Sequence, residues 1–265
     1  MSDGKLPIVR IRGGVRVEVD DDIAVEAPLE IRVGGKALTV VMRTPGHDEE
    51  LARGFLFAES LVDGCDDIVG ITRPERLTGD ERGNVVDVTL RPGARAPAGE
   101  RLFYASSSCG VCGKNAISTL RVRAPLSTSS LRVAAATLST LPDRLRAAQP
   151  MFASTGGVHA SGLFAADGTL ELVREDVGRH NALDKLIGWA LERGRLPLGD
   201  RLLVVSGRVS YEIVQKAIAA GLPLIAAVGA PSTLAIELAE EFGVTLIGFV
   251  RDAGMNVYAH ADRLT

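Results

Sequence analysis

The rhythm of the second half constrains this chain most. Between positions 202 and 250, short apolar runs alternate with stretches of helical period. Leu202 to Val205 reads as a short buried strand, Tyr211 to Ala220 as an amphipathic helix and Leu224 to Val228 as a second strand. Ser232 to Phe242 is again a helix and Val244 to Val250 a strand. Strands separated by single helices are βαβ units, because a crossover helix returns the chain to the same end of the sheet. Upstream, Val158 to Phe164 and Leu170 to Val173 flank Asp167-Gly168 as a hairpin, and Asn181 to Leu191 carries an apolar helix face. The prediction is a mixed α/β domain over 101–265 with helices on both faces of its sheet.

The segment 1–100 has a different period. Val15, Val17 and Val19 alternate with charged residues, as in a half-buried strand. Leu29, Ile31 and Val33 alternate likewise, then Gly34-Gly35 turns the chain into Leu38, Val40 and Met42, a β-hairpin. Thr44-Pro45-Gly46 precedes an acidic first turn, Asp48-Glu49-Glu50, with Leu51, Phe55 and Leu56 at helical spacing. Val86, Val88 and Leu90 form one more strand, and 91–100 is a Pro-, Gly- and Ala-rich connector. This part is predicted to be smaller and β-rich, with one helix.

Charge narrows the function. The net charge is −3, so no basic field recruits nucleic acid or a membrane surface, and any anionic ligand needs a local site. No apolar run is long enough to span a bilayer, and Met1 to Gly14 lacks a signal-peptide core. The expected compartment is the cytoplasm. There, three cysteines do not make a disulfide framework.

Two of those cysteines sit in Ser108-Cys109-Gly110-Val111-Cys112-Gly113-Lys114. Glycines and serines around both thiols favour an exposed loop, and a nearby Lys114 would favour the reactive thiolate. A structural zinc site fits poorly. It needs four ligands, no second Cys pair exists, and neither Cys65 nor the four histidines have paired spacing, so no metal site is expected. A dithiol redox protein is the stronger alternative, although the motif does not open a helix after a first strand. Cys65, beside Gly64, reads as a structural residue.

In an open α/β sheet, ligands bind beyond the carboxyl ends of the strands. Three such ends are legible: Ser206-Gly207-Arg208, Gly229-Ala230-Pro231-Ser232 and Arg251-Asp252. Small residues feeding a helix N-terminus expose N–H groups to phosphate, and arginines add bidentate contacts, although small residues also simply close tight turns. No Walker A or Gly-x-Gly-x-x-Gly sequence is present.

The run Arg174-Glu175-Asp176-Val177-Gly178-Arg179-His180 is dense in functional groups. His180 is a candidate proton carrier with Glu175 or Asp176 as its orienting partner, or else part of a capped helix start. Asp184 and Lys185 are expected on an outer helix face. His159 is expected to be a hydrogen-bonded core residue, His47 to lie in the loop opening the first helix, and His260 in a polar tail.

Together these segments resemble the FdhD-type formate dehydrogenase accessory sulfurtransferases. The matching stretches are Arg43 to Gly46, Glu50 to Leu56, Ser108 to Gly113, Thr155 to Ala160, Arg174 to Ala182, Ser206 to Glu212 and Gly248 to Arg251. The resemblance implies a cytidine-deaminase-like α/β core and a homodimer. It implies a persulfide on Cys109, received from a cysteine desulfurase, with Cys112 assisting. The acceptor it implies is molybdenum bis(molybdopterin guanine dinucleotide), destined for formate dehydrogenase and mimicked by guanosine diphosphate. The residues expected to hold that acceptor are Phe249, Val250, Arg251, Asp252, Ala253 and Gly254, with Ser206, Gly207, Arg208, Gly229, Ser232 and His180. Ser60 and Asp252 stand where the family usually has glycine. A zinc deaminase is disfavoured, because Ser161 replaces its general acid/base Glu and no Pro-Cys-x-x-Cys follows. A non-catalytic cofactor chaperone remains a further alternative.

Overall fold

The computed structural model describes residues 4–74, 77–94, 103–104, 124–251 and 254–265. The chain opens with β1 (Lys5–Arg12) and β2 (Val15–Asp22), which among the described residues pair only with each other as an antiparallel ribbon. The half-buried strand expected at Val15 to Val19 forms, but Val15 is 64% exposed and Val17 50%. Its apolar alternation has too little to pack against, because no further strand among the described residues extends this ribbon.

β3 (Ala27–Val33) and β4 (Lys36–Arg43) form the expected hairpin, turning at Gly34 and Gly35 with φ of +58° and +79°. Those angles suit glycine. The face assignment of β4 needs correcting. Ile31 pairs with Thr39 and Arg32 with Ala37, so Leu38 is an extra residue that bulges the strand. A bulge advances the side-chain alternation by one. Leu38 is buried, but beyond it Val41 and Arg43 take the inner face while Val40 and Met42 lie outside. Next come α1 (Asp48–Ala58), β5 (Ile68–Thr72), β6 (Val85–Leu90) and β7 (Phe103–Tyr104). The five-stranded sheet runs β5-β6-β3-β4-β7, and Leu29, Ile31, Val86 and Val88 pack under Leu51 and Leu56 of α1.

The remaining elements are α2 (Ala135–Ala147), α3 (Pro150–Thr155), β8 (His159–Phe164), β9 (Leu170–Asp176) and α4 (Arg179–Glu192). They continue with β10 (Leu202–Val205), α5 (Tyr211–Ala219), β11 (Leu224–Ala227), α6 (Thr233–Phe242), β12 (Thr245–Arg251) and β13 (Gly254–Ala259). The sheet order is β13-β12-β11-β10-β8-β9. β10, β11 and β12 are parallel, as the βαβ rhythm predicts, and antiparallel strands flank them. Alternate residues of the parallel strands feed opposite cores. Leu203, Val205 and Ile225 meet α4, α5 and α6, whereas Leu202, Val204 and Leu224 meet Leu138, Leu141 and Leu145 of α2. Both faces are therefore covered, which is why these strands read as unbroken apolar runs.

The two sheets are joined where α1 crosses α4. A Cβ added to Gly54 would lie 1.8 Å from the Asp184 carbonyl oxygen, and one on Gly188 would lie 1.8 Å from that of Glu50. Main chain thus touches main chain, a closer approach than side chains permit. Arg174 reaches across to Glu50 with two contacts of 2.6 and 2.8 Å.

Candidate functional site

Most of the charged run before α4 builds a buried seam around this crossing. Asp176 is fully buried, with Oδ2 2.7 Å from Lys185 Nζ, and it accepts bonds from the Thr44 and Gly178 N–H groups. Lys185 donates onward to the Thr44 carbonyl oxygen at 2.9 Å. Arg43, also buried, grips Asp48 through Nε and Nη2 at 2.9 and 3.1 Å. The outer-face placement of Asp184 and Lys185 is therefore wrong: they are 2% and 1% exposed. Helices α1 and α5 and the sheet surround α4, and burial is tolerated because each charge is paired. Asp184 receives Lys216 at 2.7 and 2.8 Å. Burial works against the Lys216 ammonium, but Asp184, Glu212 and Glu59 outweigh it and raise its pKa. Burial pushes the Asp184 carboxyl up as well, and the bidentate contact decides for an ion pair.

His180 does not use the expected partners. Glu175 accepts the backbone N–H groups of Met151 and Phe152 at the start of α3, and Asp176 belongs to the seam. Instead Glu212 Oε2 lies 3.2 Å from His180 Nδ1, and Ser210 Oγ lies 3.2 Å from Nε2. Both partners come from the start of α5, far along the chain from the charged run that holds His180. Burial, only partly offset by Glu212, lowers the His180 pKa to about 4.

The three strand ends read from the sequence lie side by side, and they hold each other. Gly229 N–H donates to the Gly207 carbonyl at 3.2 Å, and Phe249 N–H donates to that of Gly229 at 3.2 Å. Val209 N–H donates to the Ala230 carbonyl and Ser232 N–H to that of Val209. Several N–H groups expected for phosphate are thus spent between loops. Ser206 exchanges two bonds with Ala160, and the Ser232 hydroxyl caps α6 by accepting from Ala235 N–H. Val250 points into the core under α2, leaving only its backbone for a ligand. Phe249 has φ +53°, a left-handed conformation unusual for a bulky residue, and the exposed Arg251 guanidinium lies 5.7 Å from its ring. Gly254 opens β13 opposite Arg251.

His159 joins this cluster, which its sequence context does not predict. β8 runs antiparallel to β10 with Ser161 opposite Val205, which carries His159 to the strand ends. A Cβ on Gly207 would lie 3.2 Å from His159 Nδ1. Burial, then Arg179 and Arg208, lower the His159 pKa, so two guanidinium groups act on this histidine at the strand ends. The signal lies in the hairpin pairing, which a lone His in a Gly-rich stretch does not reveal. Cys65, expected to be structural, is exposed in a 3-10 turn with Sγ 3.6 Å from Asp66. Cys109, Cys112, Asp252 and Ala253 lie outside the described residues.

The model of the FdhD/NarQ family matches residues 24–265. The chain belongs to that family. It is 51% identical to the sulfur carrier protein FdhD of Mycolicibacterium paratuberculosis, with 97% of each chain covered. The FdhD sulfur carrier of Sulfolobus acidocaldarius is 42% identical over 98% of each. A crystal structure of a formate dehydrogenase accessory protein from Desulfotalea psychrophila superposes with a TM-score of 0.76, at 26% identity and 98% coverage of both chains. Among the described residues of this family member, no helix is long and apolar enough to cross a membrane. The stretches that suggested the family fall at the α1–α4 seam, the His180 cluster and the strand ends, apart from the cysteine motif.

Proposed function

We propose that this chain is a sulfur carrier serving formate dehydrogenase. Cys109 takes a persulfide sulfur from a cysteine desulfurase and passes it, with help from Cys112, to molybdenum bis(molybdopterin guanine dinucleotide). What carries the reading is identity of 51% across almost the whole of a named sulfur carrier, with Cys109-Gly110-Val111-Cys112 in place. In the loading step the Cys109 thiolate attacks the outer sulfur of the desulfurase persulfide. A new S–S bond forms, the old one breaks, and the desulfurase thiolate leaves. The molybdenum cofactor is the substrate of the second step. The donor set at the strand ends suits an anion: Arg208 and Arg251 are exposed there, and Arg179 and His159 lie near Arg208. Backbone N–H groups committed between the loops make side-chain cations the main phosphate contacts. The working form is a cytoplasmic homodimer.

Mass spectrometry after incubation with a cysteine desulfurase and cysteine tests the reading. The expected result is one extra sulfur atom on the wild-type chain and none on Cys109→Ala. Equal loading of Cys109→Ala would overturn it.

A further inference from the structure

The cluster around His180, one of the residues expected to hold the acceptor, also has the geometry of a nucleophilic relay. Ser210, His180 and Glu212 stand in line, with Oγ to Nε2 and Nδ1 to Oε2 each 3.2 Å. Lys216 Nζ lies 3.5 Å from Glu212 Oε1, which favours the ionised carboxylate. An ionised carboxylate only accepts, so Nδ1 must carry the imidazole proton. Nε2 is then the acceptor, and the Ser210 hydroxyl must donate to it. The hydroxyl is released from the usual duty of its position: Ser210 is the N-cap of α5, yet its side chain accepts no bond from the first turn. By contrast Ser232, in the equivalent place on α6, does cap its helix. Ser210 is also partly exposed, and it lies two residues from the exposed Arg208.

We propose that Ser210 is an activated nucleophile, with His180 as its general base and Glu212 as the positioning residue, acting on small carboxylic esters that carry an anionic group. Ser210 Oγ adds to the ester carbonyl carbon as its proton passes to His180 Nε2. The alcohol leaves with that proton, giving an acyl-Ser210. Water attacks by the same route and releases the carboxylate, so no oxidant or reductant is consumed. The first-turn N–H groups of α5 stand at the same helix end, where negative charge develops on the carbonyl oxygen. Arg208 and Arg179 supply the attraction for the anionic group. Burial holds His180 in its base form near neutral pH but makes it a weak proton acceptor, so turnover is slow and covalent capture is the appropriate readout.

The full-length protein is treated with a fluorophosphonate probe and analysed by intact mass and peptide mapping. One adduct on Ser210 is expected, absent from Ser210→Ala. His180→Gln and Glu212→Gln should label at least about 100-fold more slowly, with circular dichroism unchanged. The Glu212→Gln result separates relay from scaffold, because a donating amide reverses the imidazole tautomer without emptying the site. Should that variant fail to fold, His180→Gln carries the same comparison. No adduct on the wild type, an adduct retained by Ser210→Ala, or labelling indifferent to His180 would each overturn the proposal.

Discussion

Gly54 on α1 and Gly188 on α4 permit a reciprocal main-chain contact, each standing where a side chain would meet the other helix's backbone at 1.8 Å. Neither obstacle is a flexible side chain, so relief requires the helices to move apart. Gly54→Ala and Gly188→Ala should each cost stability at or above the top of the roughly 1–3 kcal/mol overpacking range. Gly199 is the control, because a Cβ added there would meet nothing within 4 Å. Gly199→Ala should change stability by less than about 0.5 kcal/mol. Equilibrium urea unfolding of the three variants decides the matter.

The Asp184–Lys216 pair is buried on both sides. Asp184→Asn takes the nearer carboxylate from the buried Lys216 ammonium, leaving Glu212 at 3.5 Å, and should cost roughly 3 kcal/mol. Replacing both partners, as Asp184→Leu with Lys216→Met, should recover most of that loss. Thermal melts of the single and double variants provide the check. A double variant no better than the single would mean that the charges stabilise the core in themselves.

His180 should make the protein acid-sensitive. Its pKa is 6.5 when unperturbed and about 4 in the fold. Between those values the unfolded chain binds a proton that the folded chain refuses, so stability falls as pH drops from about 6.5 towards 4. The shift corresponds to roughly 3 kcal/mol at most by the acid end. The difference in unfolding free energy between wild type and His180→Gln, followed from pH 7 to pH 4, isolates this contribution from other groups. A pH-independent difference would contradict the assignment.

Loading and delivery of sulfur should be separable. Arg251→Ala should weaken guanosine diphosphate binding by roughly 1–3 kcal/mol in calorimetry, the range for a lost charge-assisted bond. The same variant should still accept sulfur on Cys109 at the wild-type rate. If Arg251→Ala cannot be loaded by the desulfurase, the two steps share one surface.

The architecture was legible where one period ran uninterrupted. β10, β11 and β12 lie buried between α2 and the α4–α6 layer, so their apolar runs carry no competing signal. β4 was legible only as far as Leu38, since a bulge leaves no mark in composition and reverses the faces beyond it. Asp184 and Lys185 defeat the rule that charge means exposure, because each is paired inside the fold. The two glycines that draw α1 onto α4 sit in different halves of the chain and have no meaning until both are in contact. In the site, the three strand ends could be found one at a time. The Glu212 partner of His180 and the approach of His159 could not, for both depend on which strands and helices become neighbours.

The β1–β2 ribbon is held to this interlocked body lightly, with β2 against α3. Among the described residues, every buried hydrophobic side chain of the core lies at or beyond Ala27. The ribbon's amides are protected by one ladder of hydrogen bonds and little else, and a lone two-stranded ribbon is marginal in water. Its opening should therefore be local and frequent, and deuterium should enter residues 5–22 long before it reaches β10 or β11. The first segment of the chain is thus weakly coupled to the rest, and fraying or trimming it should cost the two sheets little.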